Sequence, residues 1–145
     1  MKLKPIACCL LALLIQAAHA EPDRQGTLKA VTGPVSLTQA GTVRTAEVGG
    51  GIGQADRIVT GAGASTTLML KDGTIVAVGP NTTLELAKVQ FDTTTQDGNL
   101  WLQLLQGSIR VVTGWLGKLH PEQVRVTTPT TVVGVRGTDF IVEAP

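Results

Sequence analysis

The chain is predicted to be all-β: an antiparallel sandwich, a roll or a short solenoid-like stack of hairpins. Three observations carry that prediction. Valine, threonine, leucine and isoleucine dominate from residue 21 onward, and glycine breaks them at short intervals, the texture of strands and turns. Turn signals recur roughly every 8 to 15 residues, the spacing of a sandwich, roll or solenoid. After residue 20 no stretch keeps an apolar period of about 3.6 residues with helix caps. With two Trp, two Phe and no Tyr, the core has to be aliphatic, packed through branched side chains on pleated sheets.

The first 20 residues stand apart. "MKLKPIACCLLALLIQAAHA" has a basic start at Lys2 and Lys4, an apolar run from Ile6 to Ile15, and a small-x-small ending at Ala18-His19-Ala20. This is the layout of a secretory signal peptide, cleaved near Ala20–Glu21. The apolar run is shorter than the roughly 20 residues that span a bilayer. Cys8 and Cys9 lie near its start, not just after it where a lipid anchor would need a cysteine. The mature chain then has no cysteine, so packing alone must hold it. Without Lys2 and Lys4, ten basic residues face 11 acidic ones, a net charge of −1. No basic stripe offers a footprint for nucleic acid or an anionic membrane. A soluble periplasmic or secreted protein is expected, with no membrane insertion of the mature chain.

The elements follow in order. "TLKAVTG" and "VSLTQ" flank a turn signal at Gly33-Pro34, and "TVRTAEV" comes after Gly41. "GGGIGQAD" reads as a flexible glycine loop joining strands; it fails the G-x-G-x-x-G spacing of a phosphate loop because Asp56 stands at the third glycine. A short strand is expected around Arg57 to Thr60, before a second glycine turn. "TTLMLKDGTIVAVG" is the clearest hairpin, with Asp72-Gly73 as a two-residue turn. That turn pairs Leu70 with Ile75, Met69 with Val76 and Leu68 with Ala77, which makes both faces apolar and the hairpin sandwiched between layers. A half-buried strand runs from Thr82 to Phe91, where Leu84 and Leu86 alternate with Glu85. After the polar loop "DTTTQDGN", "LWLQLLQGSIRVVTG" is expected to turn at Gly107-Ser108. "WLGKLHPEQ" holds a short helical turn or a loop. "QVRVTTP", broken at Pro129, and "TVVGVRGTDFIVE" close the chain, with Gly137 at a bulge or turn that a Cβ would obstruct and Phe140 as an aromatic anchor.

Catalytic and metal chemistry find little support. Outside the signal the only histidine is His120, next to Pro121, whereas a zinc site needs three or four ligands. Ser36, Ser65 and Ser108 lie in no G-x-S-x-G elbow. Asp56, Asp72 and Asp139 each have a structural use at a turn or strand start. No cofactor is expected. Trp101, between Leu100 and Leu102, reads as core, while Trp115 after Gly114 is either a contact residue or a cap on the core.

One resemblance spans about residues 54 to 143. Its elements are Thr60-Gly61, Asp72-Gly73, Leu84 and Leu86, Gly107, Thr128-Pro129, and Gly137-Thr138-Asp139-Phe140-Ile141-Val142. In this order they resemble the FecR domain family. The resemblance implies an all-β extracytoplasmic module; in the best-known members it relays a signal from an outer-membrane receptor to a cytoplasmic sigma factor. Here the expectation is the periplasmic module alone, exported by its signal, without the cytoplasmic segment and membrane helix of those members.

The expected organisation is a signal peptide at 1–20, strands and a glycine-rich loop at 21–53, and a FecR-like β domain at 54–145, the last two forming one globular unit. The expected function is non-catalytic binding of a protein partner or envelope ligand in cell-envelope signalling. The alternatives are a structural or adhesin-like module for peptidoglycan or polysaccharide, and a small carboxylate-dependent hydrolase. Family members usually continue past the Gly-Thr-x-Phe strand into another turn and strand. The edge of Asp139–Glu143 is therefore expected open to a homodimer or partner, unless "TLKAVTG" covers it.

Overall fold

The computed structural model describes residues 24–145. The signal-peptide reading, with Lys2, Lys4, Cys8, Cys9 and the Ala20–Glu21 junction, lies outside the described residues. Twelve strands follow one another: β1 Gly26–Thr32, β2 Val35–Gln39, β3 Thr42–Thr45, β4 Gly51–Ile52, β5 Arg57–Thr60, β6 Ser65–Leu70, β7 Ile75–Val78, β8 Thr83–Asp92, β9 Asp97–Val112, β10 Val124–Thr127, β11 Val132–Gly134 and β12 Asp139–Ala144. A short helix, α1 (Trp115–Leu119), and a 3₁₀ turn at Pro121–Gln123 lie between β9 and β10.

The strands form one curled sheet in the order β3-β2-β5-β8-β9-β7-β6-β1-β4, with β10 and β12 attached along β9 and β11 attached to β10. The fold is all-β, and of the three predicted architectures it is the roll, a half-barrel closed on its own side chains. Leu28, Leu37, Ile58, Leu68, Leu84, Leu86, Leu100, Leu102, Leu104 and Ile109 fill its concave side, so the core is aliphatic, as the composition requires. Gly33-Pro34 does turn the chain, but β1 and β2 do not pair. β1 goes to β6 and β4, and β2 goes to β3 and β5. The strand "TLKAVTG" therefore does not cover β12, which pairs only with β9 among the described strands.

β9 is the spine. Its first half pairs with β8 on one side and β10 on the other; its second half pairs with β7 and β12. The predicted break at Gly107-Ser108 is not a chain reversal but a corner inside this 16-residue strand. Leu100, Leu102 and Leu104 face the core before it, and Ile109 and Val111 after it. The parity of buried positions switches at the corner, as an inserted bulge residue requires. Gly107 has φ +96°, and a Cβ there would collide with Thr82, so only glycine fits. β8 makes the same switch at Ala87, between Leu86 and Val89.

The β6–β7 hairpin forms, but one register away from expectation. Thr67 pairs with Ala77, Leu68 with Val76 and Met69 with Ile75. The loop is Lys71-Asp72-Gly73. Gly73 (φ +83°) donates to the Leu70 carbonyl at 2.9 Å, and Leu70 donates to the Thr74 carbonyl at 2.9 Å. This is a type I turn followed by a left-handed glycine bulge, which holds three residues rather than two. A one-residue slip moves Val76 and Val78 onto the face of Leu68 and Leu70. That face is buried, and the other (Thr67, Met69, Ile75, Ala77) is partly exposed, so the hairpin is a wall of the roll and not a middle layer.

Two other expectations change. The glycine-rich segment is ordered, because Gly51–Ile52 pairs with β1 and Gly49 and Gly50 exchange backbone bonds with Leu28. The sheet is antiparallel except at β10, which runs parallel to β9. A parallel neighbour needs a long crossover, supplied here by α1 and the 3₁₀ turn.

Candidate functional site

Two buried polar clusters organise the signature residues. At the corner, the Thr60 hydroxyl donates to the Gly79 carbonyl (2.6 Å) and accepts from the Thr82 N–H (2.9 Å). The Thr82 hydroxyl in turn donates to the Pro80 carbonyl (3.0 Å) and accepts from the Ser108 N–H (3.1 Å). Thr60-Gly61, Thr82 and Gly107 are thus one lock holding β5, β8 and β9. Thr82 carried no signal of its own, since a threonine opening a strand reads as ordinary β-propensity.

The second cluster hangs α1 on the hairpin. The Asp72 carboxylate accepts from the N–H (2.9 Å) and hydroxyl (2.7 Å) of Thr74, and both residues are buried. Gly114 N–H donates to the Thr74 hydroxyl at 3.0 Å, and Trp115 N–H donates to the Asp72 carbonyl at 3.0 Å. Trp115, the candidate contact residue, is half-buried and meets Phe91 edge-to-face at 6.0 Å between centroids. It caps the core and fixes where α1 begins.

α1 positioned in this way forms one wall of a groove of about 980 Å³. Lys118 and Glu122 line it from α1 and the 3₁₀ turn, Arg125 from β10, Val132 and Gly134 from β11, and Arg136, Gly137 and Thr138 from the segment before β12. The signature pair Gly137-Thr138 thus lies in the groove wall. Gly137 does not serve the predicted purpose: its φ is outside the left-handed region, and a Cβ would find nothing within 4 Å. Pro129 sits apart, in the β10–β11 turn, and lines a smaller recess against the end of β12. Phe140 is half-buried and packs on the core, while its neighbour Ile141 is exposed.

The groove is basic. Lys118, Arg125 and Arg136 have no acidic partner among the described residues, whereas Glu122 faces His120 Nδ1 at 3.6 Å. Arg57 and Arg110 are neutralised by Glu85 and Asp139, whereas Lys29, Arg44, Lys71 and Lys88, like the groove cations, have no acidic partner among the described residues; what sets the groove apart is that three such cations line one surface. Asp139 receives two hydrogen bonds from Arg110 (2.9 and 2.6 Å), which hold its carboxyl below the ordinary value and raise the guanidinium. Arg125 lies over the Trp101 ring, 5.7 Å from its centroid. Trp101 is 38% exposed on the convex face, not in the core, because Leu100 and Leu102 take the inward positions of β9 and the side chain between them must point out. Its Nε1 donates to the Thr127 hydroxyl at 3.1 Å.

The three carboxylates expected to serve turns or strand starts lie in separate places: Asp56 accepts from Gln39 Nε2 (2.7 Å) and Gly53 N–H (2.7 Å), Asp72 is held by Thr74, and Asp139 by Arg110. Among the described residues no three His, Cys, Asp or Glu are grouped to hold a metal ion, and no helix is long and apolar enough to cross a membrane. A second cavity of about 510 Å³ lies at the glycine-rich segment, between Arg24, Arg44 and Asp56.

The family model described as FecR protein matches residues 56–145, well over half the chain. The chain belongs to the FecR family. The match begins at Asp56, at the entry to β5, and takes in both polar clusters and the whole basic groove; of the second cavity it takes in only Asp56, Val89 and Gln90. No characterised protein and no solved structure matches the chain.

Proposed function

We propose that this FecR chain is an exported, non-catalytic module that binds a protein partner in the cell envelope, as part of envelope signalling. The observation that carries the reading is the basic groove inside the family region, built by the signature residues yet not used by the fold. Its cations have no acidic partner among the described residues and its glycine is free of steric demand. The signal-like first 20 residues support export and a periplasmic or secreted location. The test is site-specific photocrosslinking in cells. A photoreactive residue at Arg136 is expected to trap one defined protein, while the same residue at Thr67, on the opposite wing, is expected to trap none. Equal labelling from both sites would refute the reading.

A second reading, attachment to peptidoglycan or polysaccharide, draws on the exposed Trp101 beside Arg125, since ring faces and cations on a sheet surface suit sugar contacts. Retention on purified sacculi that Trp101→Ala abolishes would favour it.

A further inference from the structure

β11 is a sheet edge with a defined set of free backbone groups. Thr128 N–H bonds the Thr131 carbonyl at 2.8 Å across the β10–β11 turn. In an antiparallel ladder bonded and non-bonded pairs alternate. The Val126–Val133 pair is therefore bonded, and the Thr127–Val132 and Arg125–Gly134 pairs are not. Val132 and Gly134 must then turn their N–H and C=O groups away from β10. No described strand pairs with that side. Val132 is 66% exposed, and both residues line the basic groove.

An unpaired edge is a template for an added strand, and natural edges are usually blunted by charge, proline or cover. Here the groove charges are three cations and one acid, Glu122, and the cations come from α1, from β10 next to the edge and from the segment after it. Lys118, Arg125 and Arg136 are unpaired among the described residues. The free edge of β12 differs, because Arg110 there is already tied to Asp139.

From this we infer that an extended acidic segment of the partner adds as a strand along β11, bonding the backbone of Val132 and Gly134 and placing carboxylates against Lys118, Arg125 and Arg136. The inference rests on the protein-partner reading and supplies the chemistry of its partner. Main-chain bonds give such pairing its affinity, and charge gives it its selectivity. Gly137, with open space where a Cβ would stand, leaves room for the incoming chain beside Thr138.

The experiment uses the purified, ¹⁵N-labelled chain and two synthetic peptides, one alternating Thr and Glu, the other alternating Thr and Lys. The Thr–Glu peptide is expected to shift the amides of Val132 and Gly134 and to slow their hydrogen exchange. The Thr–Lys peptide is expected to bind at least tenfold more weakly. Lys118→Glu combined with Arg136→Glu is expected to weaken the Thr–Glu peptide at least tenfold. Val132→Pro removes an outward N–H that the fold does not use, so it is expected to abolish binding and leave distant amides in place. If that variant does not fold, exchange protection of Val132 and Gly134 in the parent chain decides. Binding that survives Val132→Pro but not the charge reversals marks a site for anionic polymers and overturns strand addition. No response at either amide with millimolar peptide overturns it as well. A crosslinked protein that persists in Val132→Pro cells leaves the partner reading standing while this inference falls. Peptide binding without any crosslinked protein does the reverse.

Discussion

Gly107 and Gly137 belong to the same family signature and have opposite physical reasons. Gly107 sits at a corner with φ +96°, where a Cβ would strike Thr82, so the fold itself requires glycine. Gly137 lines an open groove, with nothing within 4 Å of a Cβ. Around Gly107 the polar groups are bonded to one another and buried; around Gly137 the cations are exposed and have no acidic partner among the described residues. A signature residue therefore does not announce whether it serves folding or contact. The space around it does.

The sharpest break of this contrast is Gly107→Val. It combines a strained φ with a collision against buried backbone and is expected to cost about 4 kcal/mol or more, read by urea unfolding. A variant as stable as the parent would show that the corner is not glycine-dependent. Asp72→Ala tests the cluster under α1. Thr74 loses both acceptors of its N–H and hydroxyl in a buried site, and the expected cost is about 2–3 kcal/mol, with reduced Trp115 order by fluorescence anisotropy. Thr60→Val removes the hydroxyl that links Gly79 and Thr82, and about 1–2 kcal/mol of stability is expected to go with it in the same unfolding assay.

Asp139→Asn probes an exposed pair, so its effect is small and best seen as a pH dependence. The Asp139 carboxyl is lowered by hydrogen bonding from Arg110. Its contribution is therefore complete above the unfolded aspartate value of about 3.9 and fades as pH falls below that through the folded value. Melting curves of parent and variant are expected to converge on the acid side; a gap that widens there would contradict the sign. Gly137→Ala closes the series at the weak end. Stability is expected to change by no more than about 0.5 kcal/mol, while contacts made in the groove are weakened. A large loss of stability would place Gly137 with Gly107 after all.

Much of the fold was legible in residue order, because period-two burial and turn chemistry are local. The strand Thr82–Phe91, the turns at Gly33-Pro34 and Asp72-Gly73 and the aliphatic core follow from neighbours within a few residues, while the segment after Gly114, open between a helical turn and a loop, forms the short helix. The hairpin register was missed because the choice between a two- and a three-residue loop is decided by which face the roll buries, and the loop residues Asp72-Gly73 suit both. Trp101 was misplaced for a related reason: flanked by leucines, it looks apolar on both sides, yet alternation puts it outside once Leu100 and Leu102 are inside. The groove had no linear trace at all, since Lys118, Arg125 and Arg136 are scattered through unremarkable segments.

By itself, then, the amino-acid sequence determined the all-β class, the aliphatic core, the family and several of the turns between strands, all products of local sterics and hydrophobic pattern. Only the tertiary structure decided that β9 would be a continuous spine bent at Gly107, that β10 would run parallel to it, and that three distant cations would line one groove with an edge strand. Those outcomes depend on which strands meet across the sheet, and long-range pairing is set by how the whole chain buries its apolar side chains, not by any segment alone.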